Sequence, residues 1–516
     1  MPKLNNTQKT IRNSAVSVIA QICTVLLQYI NRRVFVCFLD IEYLGYHSLF
    51  GSVFSLLSIA ELGISSIFGF QLYKEIVNDN KDEIGKLMYI YKWMYRIVAL
   101  TVLLLGVICY FFLPFFVKDA SVDWDYLHIV YWLQLASVVF GYFLNYKRTL
   151  FIASQQEYKC VQVDLTVSAV IQVVQLVTLY LWRNYIIYLC VQLSTSVISN
   201  IVISIKYNKS FPGLNKKYDV SMEYIKSRNM FADLRDVLIH RISYAIYGGV
   251  DNVVISAVCG VRMVALYGNY FVIQKGVMQI LFYKLLDPVQ ATIGNIVYSD
   301  RSKEDLWAQF RMFDVFSFFF ATYIGIGFYV FFQPFIQVWM GKEYLLSETF
   351  VALLSITLYF WAVWEIVYKY RCVFGDYKQD RWMMVLSAVL NVAVSIPGAK
   401  MWGISGVQLG TLIAFFPIAY GRIRFVIKNY FNQSIKRFVM RHLGLFVIVV
   451  LEAVICKYIC DRFEVSVLGF AERTLVILSF PTLINCILFS QNRDYRRLLN
   501  YMHTILNRYV LRIKEK

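Results

Sequence analysis

Fourteen stretches of this chain run apolar for about 18 to 27 residues each, and that property excludes most folds before any motif is considered. A helix rising 1.5 Å per residue needs about 20 such residues to cross the roughly 30 Å hydrocarbon core of a bilayer. The stretches lie near 14–39, 44–70, 94–116, 127–146, 161–182, 185–205, 238–258, 263–288, 312–333, 347–368, 382–399, 403–421, 443–460 and 471–490. Composition agrees: 59% of the 516 residues are hydrophobic and 16% charged, against roughly 45 to 50% apolar for a soluble domain. The chain reads as an all-α polytopic membrane protein. Its first stretch follows Lys3, Lys9 and Arg12 but is too long for a signal peptide and lacks a small-residue cleavage site, so it is read as an uncleaved first span.

In a soluble protein a net charge of +18 would point to nucleic acid; here it bears on orientation instead. Alternate loops differ sharply. One set carries Lys74, Lys81, Lys86, then Lys147, Arg148, then the run from Lys206 to Arg235, and so on to Arg493, Arg496, Arg497 and Lys516. The other set carries only Lys118, Arg183, Arg262, Lys342, Lys400 and Arg462. Basic loops stay cytoplasmic, which places both termini there and agrees with an even number of spans. Ten cysteines fall mostly inside apolar runs and form no CxxC pair or His-Cys cluster, so no disulfide framework, metal or other cofactor is expected.

A second regularity is one of position. "FFLPFF" at Phe111 returns as "FFQPFI" at Phe331, with Pro114 and Pro334 standing 220 residues apart. In the same register "FLDIEYLGYHSLF" from Phe38 overlays "VCGVRMVALYGNY" from Val258, and close to it "YKRTLF" from Tyr146 meets "YKYRCVF" from Tyr368. Six spans separate the copies, so both insert with the same topology, as in transporters whose substrate site lies between the halves. The expected organisation is a six-helix lobe at 1–205, a cytoplasmic basic connector at 206–236, a second, pseudo-symmetric six-helix lobe at 237–428, and helices thirteen and fourteen with a basic cytoplasmic tail at 429–516.

Ionisable groups deep in a span are costly, roughly 2.5 to 3.5 kcal/mol each on insertion scales, and so mark functional faces. Glu61 is the only charge between Tyr43 and Tyr73, and Gly51, Ser55, Ser58, Glu61, Ser65 and Gly69 recur at helical spacing. That stripe is either a wet face or a close helix contact. Span seven offers His240, Tyr244, Tyr247 and Asp251; span eight offers Tyr267, Tyr270, Gln274 and Lys275. Lys275 and Asp251 are read either as lining an aqueous cavity or as a buried pair. Arg32 and Arg33 are read as cavity residues or interfacial anchors. Every external loop is short, which argues against a glycosyltransferase or polymerase, and no P-loop motif supports ATP hydrolysis, so no enzyme is expected.

At these residues the chain resembles the polysaccharide-transport branch of the multidrug, oligosaccharidyl-lipid and polysaccharide exporter superfamily, the bacterial flippases for O-antigen and capsule repeat units. The resembling stretches are "LDIEYLGYHSLFGSVFSLLSIAELGISS", "QLYKEI", "YKRTLFIASQQEYK", "GGVDNVVISAVCGVRMVALYGNY" and "ATIGNIV". The turn Ala153-Ser154-Gln155 departs from the family pattern by lacking an acid. The resemblance implies two six-helix lobes with an added helical pair in the bacterial inner membrane. It also implies a substrate cavity that includes Arg33, Glu61, Asp251, Asn252 and Lys275. The tyrosines Tyr247, Tyr267 and Tyr270, with Gln274, Arg32 and Ser58, are expected beside them. The implied partners are a polyprenyl-pyrophosphate-linked oligosaccharide, membrane lipid, a coupling ion (proton or sodium) and a glycan polymerase. The competing expectation is a multidrug or organic-cation exporter, which would want an acidic cavity.

Overall fold

A computed structural model describes residues 6–61, 64–117, 123–214, 216–220, 223–224, 234–279, 287–297, 302–374 and 380–514. Among these residues every regular element is a helix. The first half contains α1 (Asn6–Phe38), α2 (Ile41–Leu57), α3 (Ile64–Val77), α4 (Lys81–Phe111), α5 (Trp124–Tyr142), α6 (Tyr146–Ala153), α7 (Tyr158–Trp182), α8 (Tyr185–Ser210), α9 (Leu234–Cys259) and α10 (Val261–Met278). The second contains α11 (Asp287–Val297), α12 (Lys303–Trp339), α13 (Glu348–Val363), α14 (Glu365–Phe374), α15 (Arg381–Trp402), α16 (Ile404–Ile423), α17 (Ile435–Cys460), α18 (Val467–Phe489) and α19 (Arg493–Lys514). Within the described residues, each of the fourteen apolar stretches falls on one helix or on consecutive helices. Among the described residues, nine helices are long and apolar enough to cross a membrane, or eleven when each of two bent pairs counts as one span. The remaining expected spans fall on α1, on α2 with α3, and on α10, the ones that carry Arg32, Glu61 and Lys275.

The repeat read from the sequence returns as geometry. Helices α5 and α6 meet at 43°, and so do α13 and α14, the pairs that hold "YKRTLF" and "YKYRCVF". The α1–α2 corner turns at Asp40 and the α9–α10 corner at Gly260, whose φ of 91° is open to glycine at little cost. Arg183 at the α7–α8 corner and Gly403 at the α15–α16 corner both have positive φ, 48° and 57°, again at the same offset. The prolines differ. Pro114 opens a single helical turn, Leu113–Phe116, after α4 has ended, whereas Pro334 lies inside α12. The first placement suits a residue without an N–H; the second forfeits one ladder bond.

Chain compactness divides the protein after Ile280. In the first unit an apolar core of Phe68, Leu72, Tyr91, Tyr95, Leu150 and Tyr207 joins α3, α4, α6 and α8. Helices α9 and α10, which open the second copy of the repeat, pack in this unit against α2. Glycine makes that approach possible: a Cβ on Gly45 would run into the Val261 carbonyl, and one on Gly276 would lie 2.8 Å from the Tyr29 hydroxyl on α1. Small residues at such crossings replace hydrophobic drive with close van der Waals contact.

The second unit contains α11 to α19. Helices α15 and α16 touch backbone to backbone at Gly398 and Gly406. The added helices are tied in by buried polar groups. Asn485 on α18 donates to both carboxylate oxygens of Glu452 on α17, at 3.0 and 3.2 Å, and Arg441 on α17 donates to buried Asp314 on α12 at 3.1 Å. At the end of α14, Arg371 makes two hydrogen bonds to Asp380, at 3.0 and 2.6 Å, with both side chains 1% exposed.

Candidate functional site

Glu61 is not on the continuous helical stripe that its spacing suggests. The backbone leaves α-helical geometry at Ser58 and runs as a short 3₁₀ turn to Glu61. That change of pitch turns the carboxylate toward α4, where the Tyr95 hydroxyl donates to it. Tyr91 donates in turn to Tyr95 at 3.3 Å and lies 3.0 Å from the Thr149 hydroxyl on α6. Ser58 Oγ bonds back to the Phe54 carbonyl at 2.8 Å. The acid is thus half-buried at the head of a hydroxyl chain, which avoids the cost of a carboxylate facing acyl chains.

A second cluster joins α9, α10 and α2. Asp251 is 7% exposed and accepts from the Tyr267 hydroxyl at 3.5 Å. Its neighbour Asn252 points to α2 and donates to Ser52 Oγ at 2.9 Å. Tyr247 on α9 and Tyr270 on α10 are buried, and Gln274 is half-buried. Lys275 and Arg33 are exposed, so a sealed pair between Lys275 and Asp251 is not what the structure contains.

Arg32 binds a third group. Its Nε donates to Asn269 Oδ1 at 2.6 Å and its terminal nitrogen to the Ala265 carbonyl at 3.0 Å, both on α10. Gly268 leaves the space, since a Cβ there would sit 2.7 Å from the guanidinium. Arg32 also borders a polar cavity of about 410 Å³ inside the first unit, together with Asn31, His47, Gln172, Gln175 and Gln192. These polar liners, apart from Arg32, were not singled out in the sequence. The signals were Ser168, Gln172 and Gln175 at helical spacing on α7, and Gln192, Thr195 and Ser196 on α8.

The contacts that hold α9 and α10 on the first copy gather at the ends of helices next to sparsely charged loops. Besides Asn252–Ser52 and Arg32–Asn269, Ser256 Oγ donates to the Phe116 carbonyl at 2.7 Å, and Arg262 lies 3.6 Å from Glu42. Helical elements long and apolar enough to span a bilayer, with bends and corners that recur at one offset, define an all-α multi-pass membrane fold. In particular, the chain is similar to lipid II flippase MurJ in an inward closed conformation, with a TM-score of 0.65 at 15% identity over 92% of this chain and 99% of that one. It is also similar to an inward-facing multidrug resistance MATE family transporter of the MOP superfamily (0.57, 14%, 79% and 98%) and to the Vibrio cholerae MATE transporter VcmN (0.53, 12%, 81% and 96%). No family model matches the sequence, nor does any curated protein sequence.

Proposed function

We propose that the protein is a flippase that moves a polyprenyl-pyrophosphate-linked oligosaccharide from the cytoplasmic to the outer leaflet by alternating access between the lobes at 1–205 and 237–428. The observation that carries this reading is the seal of α9 and α10 against α1 and α2 through Arg32, Ser52 and Asn252. By the loop charges that contact lies on the side away from the basic loops, where an alternating-access transporter has to close and reopen. The MurJ likeness supports the fold that such a task needs.

The physics suits the cargo. Each sugar hydroxyl costs several kcal/mol to bring bare into hydrocarbon, so a head group does not cross unaided at a useful rate. A hydrated path removes that barrier, and with the cell interior negative the outward passage of a pyrophosphate is downhill by about 2.3 kcal/mol per charge per 100 mV. Exposed Lys275 and Arg33 would balance that charge along the way, while Glu61 and Asp251 are the groups available to a coupling ion.

The test is flipping of a polyprenyl-pyrophosphate oligosaccharide by the purified chain in liposomes, and complementation of a flippase-deficient strain. Lys275→Ala and Glu61→Ala should each lose most of the complementation at unchanged amounts of inserted protein. Loss of insertion alone would mean that these side chains serve packing. Water-soluble maleimide should label Lys275→Cys in membranes, and a site inert under every condition would contradict a wet lumen.

A further inference from the structure

The sequence of α19 separates apolar from charged residues along its 22 positions. Tyr495, Leu498, Met502, Ile505, Tyr509 and Ile513 follow one another at intervals of three or four, the spacing of one helix face. Between them stand Arg493, Arg496, Arg497, Arg508, Arg512 and Lys514. These six cations face a single acid, Asp494, which leaves the helix at +5. The acid is already engaged, since it lies 3.2 Å from Arg311 on α12 and 3.6 Å from Arg497. Arg493 and Arg496 are exposed.

The place of α19 along the bilayer normal follows from its attachment. Only Ser490, Gln491 and Asn492 separate it from the end of α18, a helix long and apolar enough to cross a membrane. Three residues reach at most about 11 Å, so α19 begins at the bilayer surface. Its first turn is pinned there. The Tyr495 hydroxyl lies 3.2 Å from Cys486 Sγ on α18, and its ring stacks on Phe319 in the apolar run of α12, with centres 5.4 Å apart. This docking covers one edge of the apolar stripe and leaves the rest. Leu498 is 6% exposed, whereas Leu499 and Met502 beside it are 47% and 46% exposed.

Whatever covers that stripe must also suit the arginines. Water leaves the apolar side bare, and a second copy would set one +5 helix against another. A course through the bilayer would carry six cations into hydrocarbon. The surface of a leaflet containing anionic lipid offers acyl chains to the stripe and phosphate oxygens to the guanidinium groups, whose planar fork fits them. By the loop charges that leaflet is the one on the side of the basic loops.

From this we infer that α19 is an interfacial anchor for anionic phospholipid, with its apolar stripe among the acyl chains and its arginines on the headgroup phosphates, and that it ties the adjoining ends of α12 and α18 to that leaflet. The inference stands whether or not the chain transports anything.

The experiment is hydrogen exchange of the full chain in nanodiscs of phosphatidylcholine, with and without phosphatidylglycerol. Each basic residue near an anionic surface shifts the partition about fivefold, so exchange of the α19 amides should slow about tenfold or more when phosphatidylglycerol is present. The triple variant Arg493→Gln, Arg496→Gln, Arg508→Gln should lose most of that slowing. Leu499→Ser with Met502→Ser changes only exposed positions and should restore fast exchange in either lipid; it carries the test where the triple variant fails to insert. Exchange equally slow in both lipids would show that protein packing alone holds the helix, and equally fast exchange would make it a free tail; either result overturns the inference. So would slowing that the arginine variant keeps, which would place the lipid elsewhere. Slowing by inorganic phosphate in phosphatidylcholine discs would reduce the site to one for the free ion. Slowing only in discs that hold two copies would assign the stripe to a second chain, and these two results count against the anchor as well.

Discussion

Cross-linking the pair Ser52→Cys and Asn252→Cys should bring transport close to zero, and a reducing agent should restore it. The side chains of Ser52 and Asn252 are 2.9 Å apart, so a disulfide or a short bifunctional thiol reagent can span them. The bond would fasten α9 to α2 at the inner edge of a seal that begins at Glu42, where Arg262 lies 3.6 Å away. From Glu42 to Ser52 the seal covers about 15 Å along α2 at 1.5 Å per residue, half of the roughly 30 Å core. Alternating access requires that seal to part once per cycle. Each single variant should transport nearly as well as the parent, because the hydrogen bond it loses is worth only about 0.5 to 1.5 kcal/mol. Full transport after quantitative cross-linking would show that these helices stay together throughout the cycle and would remove alternating access at this face.

Arg371→Met should be among the most destabilising single substitutions in the second unit. Arg371 and Asp380 are each 1% exposed and joined by two hydrogen bonds, and Arg422 lies 3.8 Å from Asp380. Removing one partner of a buried ion pair costs about 3 to 5 kcal/mol, whereas replacing both by apolar groups is often neutral. Melting of the detergent-solubilised protein, followed by size-exclusion fluorescence, should therefore show a large drop for Arg371→Met. Most of the loss should return in the double variant Arg371→Met with Asp380→Leu. A single variant that melts with the parent would mean that water reaches Asp380 and the pair is not a structural tie.

The apolar runs and the spaced copies were legible because both are properties of single segments. Asp40 and Gly260, or Arg183 and Gly403, mark corners that any helical hairpin must make, and their common offset survives low similarity between the copies. What stayed hidden depends on partners remote in sequence. The spacing of Ser55, Ser58, Glu61 and Ser65 describes one helix face, yet the backbone tightens at Ser58 and Glu61 turns to Tyr95 on α4. The polar cavity beside Arg32 draws ordinary residues from six helices, so no single helix announces it. What Glu452 and Asp314 bind is set by the packing of α17 against α18 and α12. Nor does periodicity reveal that the leading hairpin of the second copy packs with the first, since that choice is made by Gly45, Gly268 and Gly276 meeting Val261, Arg32 and Tyr29.

That lent hairpin bears on the origin of the duplication. A half-length ancestor corresponding to the first copy would have left the α2 face that α9 and α10 now cover open to lipid. In this chain that cover is supplied by the second copy's own first two helices.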